Sequence, residues 1–151
     1  MGFLRGEVMK RGIELVLLMG AVGAGVLAPK PLLAQACQDE EAMVADYKKS
    51  IADLAATVKK ESLEDFTKAY HRKNCLTKLT LAVGIVSGAA DCFEKAAQDP
   101  ATPKDQVETD KSKHDSYLKL KEKVSHYRDA LKPVEDAKDA KTLIEKINLA
   151  E

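Results

Sequence analysis

The chain has 151 residues with 24 basic and 24 acidic side chains, no net charge at neutral pH and no tryptophan. This length fits a single domain. The even charge balance and the few aromatic residues exclude the basic excess and the aromatic stacking platforms by which proteins bind nucleic acid. The sequence therefore predicts no nucleic-acid partner.

Residues 1–36 have the pattern of a secretory signal peptide. Met9-Lys10-Arg11 forms a basic start, residues 13–27 are mostly apolar, and Ala34-Gln35-Ala36 supplies the small residues of a cleavage site. The apolar stretch is short for a membrane span. We therefore expect cleavage before Cys37 and a single domain over residues 37–151, with 20 basic and 22 acidic side chains, in the periplasm or the medium.

Four helices are predicted in this domain, which is rich in helix-forming residues and whose only glycines are Gly84 and Gly88. The first spans about 39–60 and the second, which Ser62 caps, continues unbroken to about 97. Thr102 caps the third, which has Pro103 at its first helical position and ends near Leu131. A short fourth follows Pro133 and carries apolar residues to about 147. Short connections make neighbouring helices antiparallel, so the sequence predicts an all-α, elongated up-down bundle of three to four helices.

The first two helices differ in their apolar pattern. The first carries one stripe, formed by Met43, Tyr47, Ile51, Leu54 and Val58. The second has no charged side chain over residues 79–90, which indicates a helix that is buried on several sides.

Three cysteines remain after the leader, an odd number for an exported protein. Cys75 and Cys92 would lie about 25 Å apart on one continuous helix, far beyond the roughly 6 Å between Cα atoms that a disulfide needs. A hairpin near Glu61 would bring Cys37 close to Cys92. The spacing therefore predicts a Cys37–Cys92 disulfide and a buried free thiol at Cys75.

Cys37 has a second interpretation, as the lipid-bearing cysteine of a bacterial lipoprotein. Such proteins are cleaved immediately before a cysteine, and the lipid is attached to that sulfur. The residues Ala34-Gln35-Ala36-Cys37 depart from the usual pattern, which has Leu in place of Ala34 and a small residue in place of Gln35. A lipid-anchored envelope protein is therefore an alternative, and a membrane association is expected only in that case.

His71 and Cys75 lie one helical turn apart and are candidate metal or haem ligands, because imidazole and thiolate are both good donors. His114 would have to complete the site, with His126 and Met43 as further candidates. Residues 69–73 resemble, over five residues, the haem-ligand region of periplasmic b-type four-helix cytochromes. The sequence contains neither a Cys-x-x-Cys-His nor a His-Glu-x-x-His motif, so no cofactor is predicted and a haem- or metal-binding bundle is the alternative.

The uncharged stretch of the second helix also predicts an interaction surface. Pairing about Pro100 would place residues 79–90 opposite about 111–122. The early part of that segment, 111–116, is polar and cannot cover apolar side chains. We therefore expect an exposed patch, with a close-approach pair of glycines, that binds a partner helix or a second copy of the chain. It comprises Val83, Gly84, Ile85, Val86, Gly88 and Phe93.

No catalytic motif is recognisable in the chain. Neither a nucleophile beside a base nor a pair of acids is distinguishable from the mixed charges of helix surfaces. The sequence therefore predicts a non-enzymatic binding or structural module of the cell envelope or medium.

Overall fold

A computed structural model describes residues 32–150 of the chain. It contains five helices and, within these residues, no strand: α1 (Leu32–Lys60), α2 (Leu63–Lys68), α3 (His71–Gln98), α4 (Lys104–Leu131) and α5 (Ala137–Glu145). The predicted all-α class is confirmed. The predicted signal peptide lies outside the described residues, except for residues 32–36, which are the first residues of α1.

The buried residues of α1 and α3 follow seven-residue repeats. Four of those of α1 recur every seven positions, at Cys37, Val44, Ile51 and Val58, and Ala55 is buried as well. Seven of those of α3 alternate steps of four and three, at Cys75, Leu79, Ala82, Val86, Ala89, Phe93 and Ala96, and Ala90 is buried as well. This spacing is typical of helices that pack side by side at a small crossing angle. In agreement with this, α3 packs along its length against α1 on one side and α4 on the other.

Contacts between the helices define their directions. Lys78 of α3 donates to the Ser50 hydroxyl, and a Cβ atom at Gly88 would lie 3.3 Å from Glu40. Thus α1 and α3 are antiparallel. A nitrogen of His114, in the first half of α4, lies 2.9 Å from the carbonyl oxygen of Ala90 in late α3. Val124 and Leu131, in the second half of α4, share a core with Leu79 in early α3, so α3 and α4 are also antiparallel. Helices α1 and α4 therefore run in the same direction, and both pack mainly on α3.

The largest hydrophobic core lies at the end of the bundle where α2 and α5 meet the three long helices. Its largest fully buried side chains come from all five helices: Ile51, Val58, Phe66, Leu79, Val124, Leu131 and Ile144. Phe66 is the only buried residue of α2. This short helix is therefore held on the bundle by one aromatic side chain.

The predicted second helix is broken, which corrects the expectation of one helix to residue 97. Ser62 caps α2 as predicted, since its hydroxyl accepts from the Asp65 amide at 3.1 Å. The chain then turns at Tyr70, whose φ of 54° lies in the left-handed region. Arg72 fixes the new direction by donating to the carbonyl oxygens of Lys132, at 3.1 Å, and of Val134. The break lets Phe66 enter the core beneath α3.

Tyr70 is expected to be a strained position that glycine relieves. A side chain in the left-handed region costs about 1–2 kcal/mol, and the greater freedom of glycine in the unfolded chain offsets about 0.4–1 kcal/mol of the gain. Tyr70 is 72% exposed, so few contacts are lost. We expect Tyr70→Gly to raise the free energy of unfolding in urea by about 0.5–1 kcal/mol. Tyr70→Ala retains the Cβ atom and should give no such gain; a glycine variant less stable than the alanine variant would contradict the assignment.

The start of α4 also differs from the prediction, by one residue. The helix begins at Lys104, and Pro103 occupies the capping position without a side-chain bond. Thr102 does not cap α4; its hydroxyl donates to the carbonyl oxygen of Ala96 at 2.7 Å. Thr102 thus donates a hydrogen bond to a carbonyl oxygen at the end of α3 and does not accept one from an amide at the beginning of α4.

Among residues 32–150, α3 is the one helix whose length and composition would allow it to cross a membrane. The central helix of a bundle meets the same criteria, because it is apolar on several faces. Here α3 lies between α1 and α4, and Leu79, Val86 and Ala89 are buried. This packing buries 33% of the most apolar 18-residue stretch of α3.

Candidate functional site

The structure places the three cysteines as follows. The sulfur atoms of Cys37 and Cys92 lie 2.05 Å apart and their Cα atoms 5.6 Å apart, which joins the start of α1 to the later part of α3. Cys75 is free and buried. Burial raises the pKa of the Cys75 thiol to about 12, so this thiol is neutral and a poor nucleophile at neutral pH.

The candidate metal ligands are separated in the fold. Nε2 of His71 lies 2.8 Å from Oε2 of Glu61, at the turn between α1 and α2. His114 contacts Ala90, which is about 28 Å along α3 from His71 at 1.5 Å per residue. Over the described part of the chain, no group of three or more histidine, cysteine or acidic side chains could hold a metal ion. The predicted combination of His71, Cys75 and His114 is therefore not brought together.

The predicted patch on α3 is largely covered. Val86 and Phe93 are only 2% and 4% exposed. The register of α4 explains this: Tyr117 and Leu120 pack on this part of α3, and the ammonium of Lys113 lies 4.8 Å from the centroid of the Phe93 ring. Helix α1 also begins earlier than predicted and reaches Cys92. Val86 and Phe93 are thus core residues rather than members of an exposed surface.

The two glycines of the predicted patch have different surroundings. A Cβ atom at Gly88 would contact the Glu40 carboxylate, so Gly88 accommodates α1 of the same chain. Gly84 is exposed and has no neighbour within 4 Å of such an atom. Val83 and Ile85 are half-buried, and Leu81, which the prediction did not include, is 50% exposed. The apolar surface that α3 leaves exposed is therefore small.

An open groove of about 640 Å³ lies between α1 and α4. Both helices that border it pack on α3. Its apolar lining comes from α1, α4 and the C-terminal residues: Val44, Ala45, Tyr117, Leu120 and Leu149. Volumes of about 300–1,000 Å³ are typical of sites for small molecules.

The polar lining of the groove is mainly cationic. Lys48 of α1 faces it from one side, and Lys113, Lys119 and Lys123 of α4 face it from the other. The acidic residue of the lining, Glu41, lies 2.9 Å from the ammonium of Lys113. Its carboxylate also accepts from the Tyr117 hydroxyl at 3.2 Å. The groove therefore carries an excess of positive charge.

The lysines of the groove differ in their partners. Lys123 donates to the carbonyl oxygen of Ala150 at 2.6 Å, a neutral acceptor. Lys48 and Lys119 have no ion-pair partner within residues 37–150. Lys119 and Lys123 are one turn apart on α4, where like charges repel. These three ammonium groups are available to a bound anion.

Sequence reasoning missed the groove and one buried acid. The groove is a property of how two helices sit on a third, and the stripes of single helices do not show it. Asp110 is 4% exposed and accepts from the Gln106 amide at 2.8 Å. A signal for it exists, since Asp110, Tyr117, Val124 and Leu131 recur every seven residues on α4.

Comparisons with known proteins give no relative: no protein-family model, no curated protein and no solved structure matches the chain.

Proposed function

We propose that this protein is an exported helical module that acts by binding rather than by catalysis. The observation that carries the proposal is the groove between α1 and α4, a concave surface with an apolar lining and a few polar groups at its edge. This combination is typical of ligand-binding sites. Helix α3 supports both walls, since Val44 of α1 and Leu120 of α4 pack with Val86 of α3.

Export is supported by two independent features. Residues 1–36 have the composition of a signal peptide, and the cysteines Cys37 and Cys92 lie at disulfide distance. Disulfides persist mainly in oxidising compartments such as the periplasm and the medium. A sulfur bonded to Cys92 has no free valence for a lipid, so the disulfide favours a released protein over a lipid-anchored one.

The groove is a better candidate surface than the patch predicted on α3. Within that patch Gly84 is exposed and Val83, Ile85 and Gly88 are half-buried, whereas the groove is bordered by three parts of the chain. A partner helix or a second copy on α3 would find little apolar area to bury. We therefore assign the binding role to the groove.

Export is tested by mass spectrometry. Protein exported by a bacterial host should have the intact mass of a chain that begins at Cys37 and contains one disulfide.

A variant that fills the groove tests the binding role. We expect the wild-type protein to bind Nile red, an uncharged dye that fluoresces in apolar surroundings. Ala45→Trp places an indole in the groove and should weaken dye binding by about tenfold or more, because the lost apolar contact corresponds to about 1.5–3 kcal/mol.

The matched control is Ala42→Trp, an exposed residue of the same helix that does not line the groove. It should bind the dye as the wild type does. Absence of dye binding to the wild type, or equal binding by Ala45→Trp, would contradict the proposal. An intact leader in the exported protein would contradict the assigned location.

A further inference from the structure

The groove has a charge opposite in sign to that of the domain around it. Residues 37–151 have two more acidic than basic side chains, yet four lysines and one glutamate line the groove. Glu41 is held by Lys113 at 2.9 Å. No other acid among the described residues lines the groove to balance Lys48, Lys119 and Lys123. A lining of this kind favours an anionic ligand.

The arrangement of these lysines strengthens the case. Helices α1 and α4 run in the same direction, and the contact between Glu41 and Lys113 sets their register. Lys48 is then level with the turn of α4 that carries Lys119 and Lys123, on the opposite wall of the groove. Three ammonium groups around one end of a groove repel one another, and an anion between them removes this repulsion.

The remaining lining of the groove is apolar. Val44 and Leu149 are almost fully buried at its base, and Leu120 and Tyr117 form the α4 wall. Tyr117 and Leu120 are half-buried, and a ligand that carries only charge would leave their accessible parts in water. A ligand with an alkyl chain would cover them, and each buried methylene group would raise the affinity about fourfold.

The dimensions of the groove favour a small ligand over a protein segment. Its α1 wall, from Glu41 to Lys48, is about 10 Å long, and its α4 wall, from Lys113 to Lys123, about 15 Å. A stable protein interface buries about 800 Å² on each partner, which two or three turns of helix do not supply. A single alkyl chain with a headgroup fits the length and the volume.

We propose that the groove between α1 and α4 binds a single-chain amphiphile with an anionic headgroup. This inference rests on the proposed binding function and adds the class of ligand. The alkyl chain lies along Val44 and Leu120, and the headgroup lies among the ammonium groups of Lys48, Lys119 and Lys123. The disulfide holds the α1 wall close to α3 at the other end of the groove.

Displacement of Nile red by ligands with closely matched tails tests the headgroup preference. Decanoate, decanol and decyltrimethylammonium have alkyl tails of nine or ten carbons and carry an anionic, a neutral and a cationic headgroup. We expect decanoate to displace the dye at about tenfold lower concentration than decanol, with the cationic ligand weakest, because charge-assisted contacts strengthen only the anion. Added salt should weaken the displacement of Nile red by decanoate and leave its displacement by decanol unchanged.

Variants that replace the unpaired lysines of the groove test whether the preference for decanoate over decanol comes from the groove. Lys48→Gln combined with Lys119→Gln should reduce the advantage of decanoate over decanol to about threefold or less, since the headgroup loses two of its three charges. The matched control is Lys60→Gln combined with Lys73→Gln, two exposed lysines that do not line the groove. It has the same change in net charge and should retain the preference of the wild type.

Three outcomes would overturn the inference. Equal displacement by decanoate and decanol would show a groove that binds apolar ligands without selecting a headgroup, and the proposed binding function would stand. A decanoate preference that survives Lys48→Gln with Lys119→Gln would place the anion site elsewhere. Light scattering that finds a dimer which Ala45→Trp dissociates would show that a second chain occupies the groove.

Discussion

Loss of the Cys37–Cys92 disulfide is expected to lower the free energy of unfolding by about 4 kcal/mol and the melting temperature by about 15 °C. The bridge joins residues separated by 55 positions, so it restricts a large loop of the unfolded chain. Thermal unfolding followed by circular dichroism, with and without reductant, measures the effect. Helix content at low temperature should be retained, because the largest core does not include either cysteine.

The matched control is the variant with Cys37→Ser and Cys92→Ser. Its melting temperature should equal that of the reduced wild type and should not respond to reductant. Thiol counting on the denatured, unreduced wild type should find one free cysteine, and peptide mapping should place it at Cys75. Three free thiols, or the same melting temperature with and without reductant, would contradict the bridge.

Phe66→Ala is expected to lower the free energy of unfolding by about 3–5 kcal/mol, the range for removal of a buried aromatic ring. Phe66 is 2% exposed and is the only buried side chain of α2. Its ring centroid lies 6.0 Å from that of His71, at the beginning of α3. The variant therefore loses both a core ring and the attachment of α2, and urea unfolding measures the sum.

Leu63→Ala is the control for this variant, because Leu63 belongs to the same six-residue helix and is 44% exposed. We expect a change within about 0.5 kcal/mol for an exposed position. Similar losses in the two variants would mean that α2 is held by its helical structure rather than by its aromatic side chain.

Much of the secondary structure could be predicted from the sequence, because local signals agree with the packing. The turn after Pro100 and the cap at Ser62 are strong signals that require no tertiary information. The break at Tyr70 has no such signal: the residue before it is alanine, and neither glycine nor proline is near. It arises because Phe66 and Arg72 bind different parts of the fold, a tertiary effect.

The surface of the bundle was less predictable than its helices. The sequence pattern predicted that Met43 belongs to the apolar stripe of α1. In the structure Met43 is 42% exposed, and the buried residue is its neighbour Val44. The error follows from a period of 3.6 residues applied to a helix whose contacts repeat every seven. The groove depends on the separation of α1 from α4, and no pattern within either helix contains that information.

The two ends of the bundle are stabilised differently, one by buried side chains and the other by a disulfide. Near α2 and α5, many buried side chains hold the helices, and this end has the same contacts in any redox environment. At the other end the core is small, comprising Cys37, Phe93 and Ala96, and a covalent link supplements it. In a reducing environment the first turns of α1 would fray while the remainder stays folded. The wall that carries Glu41 and Val44 would then move away from α3, and the protein would lose the shape of its groove before it loses its fold.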